Sequence, residues 1–235
     1  MTPSHGDLMF LHLADLKSAL ERHGSKQSLK VLDFGCGGSP YRALFPDATY
    51  HRADYQGAEL DFIVDHAGAL PEVPSTSYDL VLSTQVLEHA ADPQLHLREA
   101  HRVLKPGGRL LLSTHGTFPD HGCPHDYWRW TRDGLALELK RGDFQLEEVL
   151  RLTCGARGVL FCVDQMMHVI PPSEPLWLSI VLRAVRRAYL TVRTPLIRCV
   201  DSLTQSAAVT TEAMDWSIDL CIGLLATARK PDPSS

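Results

Sequence analysis

The sequence predicts a single doubly wound α/β domain: a mostly parallel sheet of seven strands with helices on both faces and a helical insertion before the last strand. Three observations predict it. Short apolar runs alternate with helix-like stretches, the pattern of βαβ units. The first run empties into a glycine-rich loop, as a buried parallel strand does at its carboxyl end. The 235 residues, 44% hydrophobic and 22% charged, are an ordinary globular composition and long enough to bury one large core.

The elements follow in order. Within residues 1–24, Leu8, Leu11, His12, Asp15, Leu16 and Leu20 recur at helical spacing and end in charge and glycine, which predicts a leading amphipathic helix rather than a membrane span. Residues 29–34, 49–54, 60–64, 78–83 and 109–114 read as strands, with helices over 40–45 and 93–104. Pro106, Gly107 and Gly108 are expected to end the second of those helices, since proline cannot continue a helix and glycine accepts the left-handed turn. Thr131 is placed as the N-cap of a helix to Arg141, with Asp133 in its first turn, and a strand follows over 144–152. The last strand is expected over 218–228. Between them, residues 171–204 interleave Leu176, Trp177, Ile180, Val181, Val185 and Tyr189 with Arg183, Arg186, Arg187, Arg193 and Arg198, a basic amphipathic insertion. The expected organisation is therefore one domain over 1–235: the leading helix 1–24, a cofactor-binding half 25–115 and a substrate half 116–235, with the insertion over about 171–206.

A formal charge of −5 gives no diffuse attraction for a phosphate backbone, so nucleic acid is not an expected partner. Cys36, Cys123, Cys154, Cys162, Cys199 and Cys221 form no CxxC pair and follow no apolar leader, which predicts free thiols in a reducing cytoplasm.

Val31, Leu32, Asp33, Phe34, Gly35, Cys36 and Gly37 resemble the first motif of class I S-adenosylmethionine-dependent methyltransferases, an acid followed by glycines at alternate positions. Ser39 stands where a third glycine often does. Residues 78–89 and 102–108 resemble the fourth and fifth strands of that family with their intervening helix, in its type 11-like branch. In order and spacing the resemblance runs over about residues 29–114. It implies a Rossmann-like sheet with S-adenosylmethionine as cofactor and S-adenosylhomocysteine as product. It also implies a cofactor set of Asp33, Gly35, Cys36 and Gly37 in the loop, Asp54 and Tyr55 at the second strand for the ribose hydroxyls, Asp65 and His66 for adenine, and Ser83 and Gln85 for the methionine end. A glycine loop and a ribose-binding acid also serve nicotinamide cofactors, so the assignment rests on the ensemble. Asp33 and Asp54 could cap loops instead, and Asp79, at the opposite end of the sheet, is assigned capping alone.

The variable half carries the chemistry. Residues 115–131 collect histidines and aromatics in a loop punctuated by glycine and proline, an active-site candidate. Residues 124–131 are similar to a segment of methyltransferases linked with glycan and polysaccharide synthesis. Methyl transfer to a hydroxyl needs an in-line approach and a base. His125 with Asp126 is the first candidate for that base, then His121, with His89 either a base at the cleft or a packing residue. His115, Tyr127, Trp128 and Arg129 are assigned to the acceptor. The bland alternative has residues 127–131 anchoring the next helix, with Arg129 tied to a carboxylate. A metal held by His115, His121, His125 and Asp126 is kept open but not adopted. The expected acceptor is a sugar, glycan or related small molecule. The alternatives are an apolar natural product, with the insertion as lid, and a scaffold subunit that binds cofactor without turnover. Residues 171–204 are also open as a dimer seam or a peripheral membrane contact.

Overall fold

A computed structural model describes residues 3–122, 124–168, 176–205, 209–210 and 220–232. Five parallel strands, β1 (Lys30–Phe34), β2 (Thr49–Asp54), β3 (Phe62–Ile63), β4 (Tyr78–Thr84) and β5 (Leu104–His115), carry the first half. β6 (Gln145–Cys154), the two-residue β7 (Val209–Thr210) and β8 (Cys221–Arg229) complete a sheet of order β3-β2-β1-β4-β5-β8-β6-β7. β8 lies antiparallel between β5 and β6. This is the predicted doubly wound sheet, with β7 as an added edge pairing on β6. The strand order reverses between β1 and β4, so the ligand crevice falls at their carboxyl ends.

Alternation along the strands sorts side chains to two faces. Leu32, Phe34, Val81, Leu110, Leu112 and Leu224 join one core, covered by α2 (Pro93–Val103) and α3 (Arg132–Arg141). Val31, Leu80, Leu82, Leu111 and Leu225 join the other, covered by α1 (Phe10–Glu21) through Leu16, Ala19 and Leu20. Local signals set the helix ends as read from the sequence. Asp92 accepts from the Leu95 amide with Pro93 in the first turn of α2, and Thr131 accepts from the Gly134 amide at the start of α3. Asp79 also caps as expected, accepting from the Lys30 amide at 2.8 Å and Lys105 Nζ at 2.7 Å.

Three expectations are corrected. The helix expected over 40–45 is one 3-10 turn, Arg42–Leu44, because Pro46 follows and forces Phe45 out of helical geometry, to φ −130 and ψ 62. The turn at 106–108 does not end α2, which stops at Val103. Those residues bulge out of β5, whose Leu104 pairs with Tyr78 and whose Arg109 pairs with Leu80. A helix that the sequence reading left out, α4 (Gly155–His168), follows β6 directly; it starts at Gly155 in the left-handed region and has no polar N-cap to announce it. The insertion is α5 (Leu176–Thr204); its expected first residues 171–175, residue 206 and the start of the last strand at 218–219 lie outside the described residues. Among the described residues no helix is long and apolar enough to cross a membrane.

Candidate active site

The glycine loop begins where β1 ends. Gly35 takes φ +79 against β4: a Cβ there would come within 2.4 Å of Val86, so a side chain is excluded twice over. Around Gly37 and Gly38 a Cβ would meet nothing within 4 Å, which leaves open space over the loop for a ligand. Ser39, at the position of the third glycine, adopts φ +50, and its hydroxyl accepts from Arg52 Nε at 2.9 Å. Arg52 also donates to the carbonyls of Gly37, Ala58 and Glu59. The polar side chain at the strained position is thus held by a guanidinium, a contact no local signal announced.

Asp54, at the end of β2, accepts from the Gly37 amide at 2.8 Å and the Tyr55 amide at 2.7 Å. It stands beside the loop as a ribose-binding acid must. Asp65 Oδ1 accepts from the Ala67 and Ala69 amides, shaping the next loop. Tyr55, 53% exposed, lays its hydroxyl over Gly68 in that loop, and His66 is exposed beside it. Cys36 and Asp33 differ from expectation. The Cys36 side chain is buried, and Asp33, 2% exposed, sits beneath the loop and accepts from the Tyr50 hydroxyl at 2.7 Å. Burial lifts Asp33 to about 6. These two shape the loop from behind rather than face the opening. Ser83 is corrected likewise: its hydroxyl is fully buried 2.9 Å from His96 Nε2, whose ring stacks on Phe34.

Gln85 does reach the crevice. It turns the chain at φ +57, donates its side-chain nitrogen to Ser113 Oγ at 3.1 Å, and accepts from His12 Nε2 of α1 at 3.0 Å. His12 is fully buried, and burial lowers it to about 4, so it is neutral. Its place on the inner face of α1 was read as packing, because only the tertiary fold brings it to the site.

Beyond the strand ends, residues 115–131 form the acceptor wall. His115 is buried and stacks on Phe118 with ring centroids 3.8 Å apart. Its Nδ1 lies 3.2 Å from Glu88 Oε1, yet neither atom has an aligned hydrogen-bond partner. Glu88 is fully buried, accepts from Thr114 Oγ1 at 2.9 Å, and is lifted by burial to about 7. Burial, then the neighbouring His12 and His121, hold His115 far below the usual histidine range. His121 completes the cluster, 4.8 Å from the His115 ring and 4.9 Å from the His89 ring.

The expected His125–Asp126 pair does not form. His125 is exposed beside Tyr127, and its carbonyl accepts from His89 Nδ1. Asp126 turns to His121, whose amide it accepts at 2.9 Å and whose Nδ1 lies 3.1 Å from Oδ2. Arg129 grips the same carboxylate bidentately, and it donates to the carbonyls of Phe118 and Pro119 at 2.9 Å each. The Arg129 guanidinium therefore holds Asp126 well below the usual carboxylate range. Arg129 is spent on the loop and is not offered to an acceptor, the bland reading of that residue. Tyr127 and Trp128, about half exposed, remain at the opening, and Trp128 Nε1 donates to the Ala90 carbonyl. The Tyr127 and Trp128 amides donate to the Glu88 carbonyl, which fastens this loop above β4. No group of three histidine, cysteine, aspartate or glutamate residues among those described could hold a metal.

A family model described as a methyltransferase domain matches residues 9–147, more than half of the chain and the whole of this crevice. The chain belongs to the methyltransferase-domain family. Its fold is the Rossmann-like fold of class I methyltransferases. Among curated relatives, a ubiquinone biosynthesis O-methyltransferase of Ruegeria pomeroyi is 38% identical over 103 residues, 37% of this chain and 41% of the relative. The chain thus covers about two fifths of that relative's length. Among solved structures, an S-adenosylmethionine-dependent methyltransferase of Thermotoga maritima superposes with TM-score 0.58 at 13% identity, over 95% of this chain and 91% of that one. A 1,6-didemethyltoxoflavin-N1-methyltransferase of Burkholderia thailandensis, solved with its substrate and S-adenosylhomocysteine, gives 0.53 at 16%, over 92% and 76%. At these identities the structural likeness is one of fold.

Proposed function

We propose that this methyltransferase domain transfers a methyl group to a hydroxyl of a ring-bearing small molecule, with His121 as the general base. The observation that carries the reading is the His121–Asp126–Arg129 chain, set beyond the carboxyl ends of β4 and β5 against His89 and His115. S-adenosylmethionine bound there supplies a sulfonium methyl that leaves readily, so the protein's work is to position the acceptor and take its proton. Asp126 facing Nδ1 favours the tautomer with its hydrogen there, which leaves Nε2 as the lone-pair nitrogen. Arg129 fixes Asp126, and the rings of Phe118, Tyr127 and Trp128 give an acceptor flat surfaces to lie on. Gly35, the open space over Gly37 and Gly38, Asp54 and Asp65 are the residues that would hold the cofactor.

The relative named as an O-methyltransferase supports oxygen as the methylated atom. A sugar or glycan acceptor rests on the short resemblance of residues 124–131 and on the aromatic walls, which suit planar acceptors equally. Free thiols at Cys36, Cys162 and Cys199 support a cytoplasmic setting.

The test is calorimetry with S-adenosylhomocysteine followed by methyl transfer to phenolic and sugar hydroxyls. Asp54→Ala should abolish cofactor binding in a folded protein. His121→Ala should keep that binding and lose about 10²–10⁴ in turnover, whereas His125→Ala should lose little. A protein that binds neither cofactor form would leave the scaffold reading or none, and a His125→Ala defect larger than that of His121→Ala would return the base to the exposed histidine.

A further inference from the structure

We infer that the outer face of α5 is a docking surface for an anionic lipid bilayer, a property independent of the acceptor. The helix is fixed to the domain by its inner face. Arg193, 5% exposed, pairs bidentately with Asp164 of α4 at 2.6 Å and donates to the Asp7 carbonyl, while Ile197 is buried against Phe10, Leu11 and Leu160. Arg157 of α4 reaches Asp201 at 2.9 Å, near the end of the same helix. A helix clamped at its inner face by two buried guanidinium pairs is a poor hinge for a lid, so the opposite face has a fixed orientation.

The outward face is apolar, and among the described residues nothing covers it. Trp177, Val181, Val185, Val192, Leu196 and Leu203 are spaced by four, four, seven, four and seven residues, a single stripe along an α-helix, and all are exposed, Trp177 at 67% and Leu203 at 76%. From Trp177 to Val192 the helix contributes no buried residue, so its first turns stand clear of the domain. Arg187 and Arg198 are exposed and flank one edge of the stripe, while Arg183, also exposed, lies across the helix from it.

Charge selects the occupant. Residues 176–200 contain five arginines and no acid, and Asp201 is already paired with Arg157 and His5. A second copy of this helix would bring arginine rims together with no carboxylate to meet them. An anionic bilayer meets both parts at once: the stripe enters the acyl boundary while the arginines stay among phosphate headgroups. The helix lacks the apolar length to cross, so it lies in the interface plane.

The probe is co-sedimentation of the whole chain with vesicles of phosphatidylcholine alone and of phosphatidylcholine with phosphatidylglycerol. The protein should partition onto the anionic vesicles and be released by salt. Each rim arginine near such a surface contributes roughly a fivefold factor, so Arg187→Glu with Arg198→Glu should lower partition by more than about tenfold. Val181→Glu with Val185→Glu should lower it comparably by opposing insertion of the stripe. Both variants should keep the wild-type affinity for S-adenosylhomocysteine, which shows that they are folded. No partition onto either vesicle, or equal partition of wild type and variants, would overturn the assignment. So would a vesicle-free dimer that Val181→Glu splits, because the stripe would then belong to a second copy.

Discussion

Two clusters of buried charge adjoin one face of α1, the first beside Asp15 and the second beside His12, and they are finished differently. Around Arg157, 1% exposed, the polar groups are satisfied: Asp15 takes two guanidinium hydrogen bonds and the Thr153 hydroxyl, and Asp201 and Thr204 take the remaining arm. Around Glu88 and His115, equally buried, two facing atoms 3.2 Å apart stay without an aligned partner, and Nδ1 of His121 faces Asp126 Oδ2 at 3.1 Å without an aligned bond. A saturated cluster has nothing to offer a ligand and serves to orient α4 and α5. An unsaturated one carries a desolvation cost of about 1–3 kcal/mol per atom. It persists where a binding partner or a reacting proton supplies the missing bond. The difference teaches that burial of charge alone does not tell a proposed site from a strut; what distinguishes these two clusters is how completely their charges are partnered.

The largest test breaks the saturated cluster. Arg157→Leu leaves Asp15 buried without its partner and should destabilise the protein by about 3–5 kcal/mol, read as a lower denaturant midpoint. Removing both partners in Arg157→Leu/Asp15→Leu should recover much of that loss, since a buried ion pair is weak evidence of net stabilisation. A single variant as stable as wild type would show that the cluster is ornamental and would remove the contrast.

The middle test makes the unsaturated cluster behave oppositely. Glu88→Gln keeps the shape, still accepts from Thr114, and turns an amide hydrogen toward the His115 nitrogen. Burial raises Glu88 to about 7, so the native state holds its proton more tightly than the unfolded chain. Its contribution is therefore present in acid and is lost as pH rises through 7. Glu88→Gln should match wild type near pH 4.5 and exceed it by about 1 kcal/mol above pH 8. Turnover should nevertheless fall about tenfold, because a titrating group beside the acceptor has been replaced by one that cannot titrate. A variant that gains stability and keeps full turnover would make the cluster a packing defect rather than part of the site.

The cofactor side and the two polar clusters were unequally legible. The cofactor side could be read because its determinants are local: β2 runs over Thr49–Asp54 as its apolar pattern requires, Gly35 needs its positive φ, and Thr131 caps α3 within four residues. The polar clusters are assembled from distant segments. Asp15 and Arg157 are 142 positions apart, and His12 and Gln85 are 73 apart. In the loop, adjacency in sequence favoured His125 for Asp126, but Arg129 draws the carbonyls of Phe118 and Pro119 together and brings His121 to that carboxylate instead. Glu88 was visible in the sequence only as a neighbour of His89; its burial, which gives it meaning, depends on the loop that closes over it.

The smallest test concerns where His121 titrates. Burial lowers it below the usual histidine value, and the charge of Asp126 restores part of that drop while Arg129 lowers it again. A base must be neutral to accept a proton, so kcat/KM should be flat through neutrality and fall only as pH drops below the ordinary histidine range. Asp126→Asn removes the raising charge and leaves Arg129 uncompensated, which should move that acid limb lower still. The plateau should drop as well, because an asparagine no longer dictates which nitrogen carries the hydrogen and the weaker base takes the proton less readily. If Asp126 acted only as a clamp for Arg129, the plateau would fall with the limb unmoved, so the position of the limb separates an electrostatic partner of His121 from a strut.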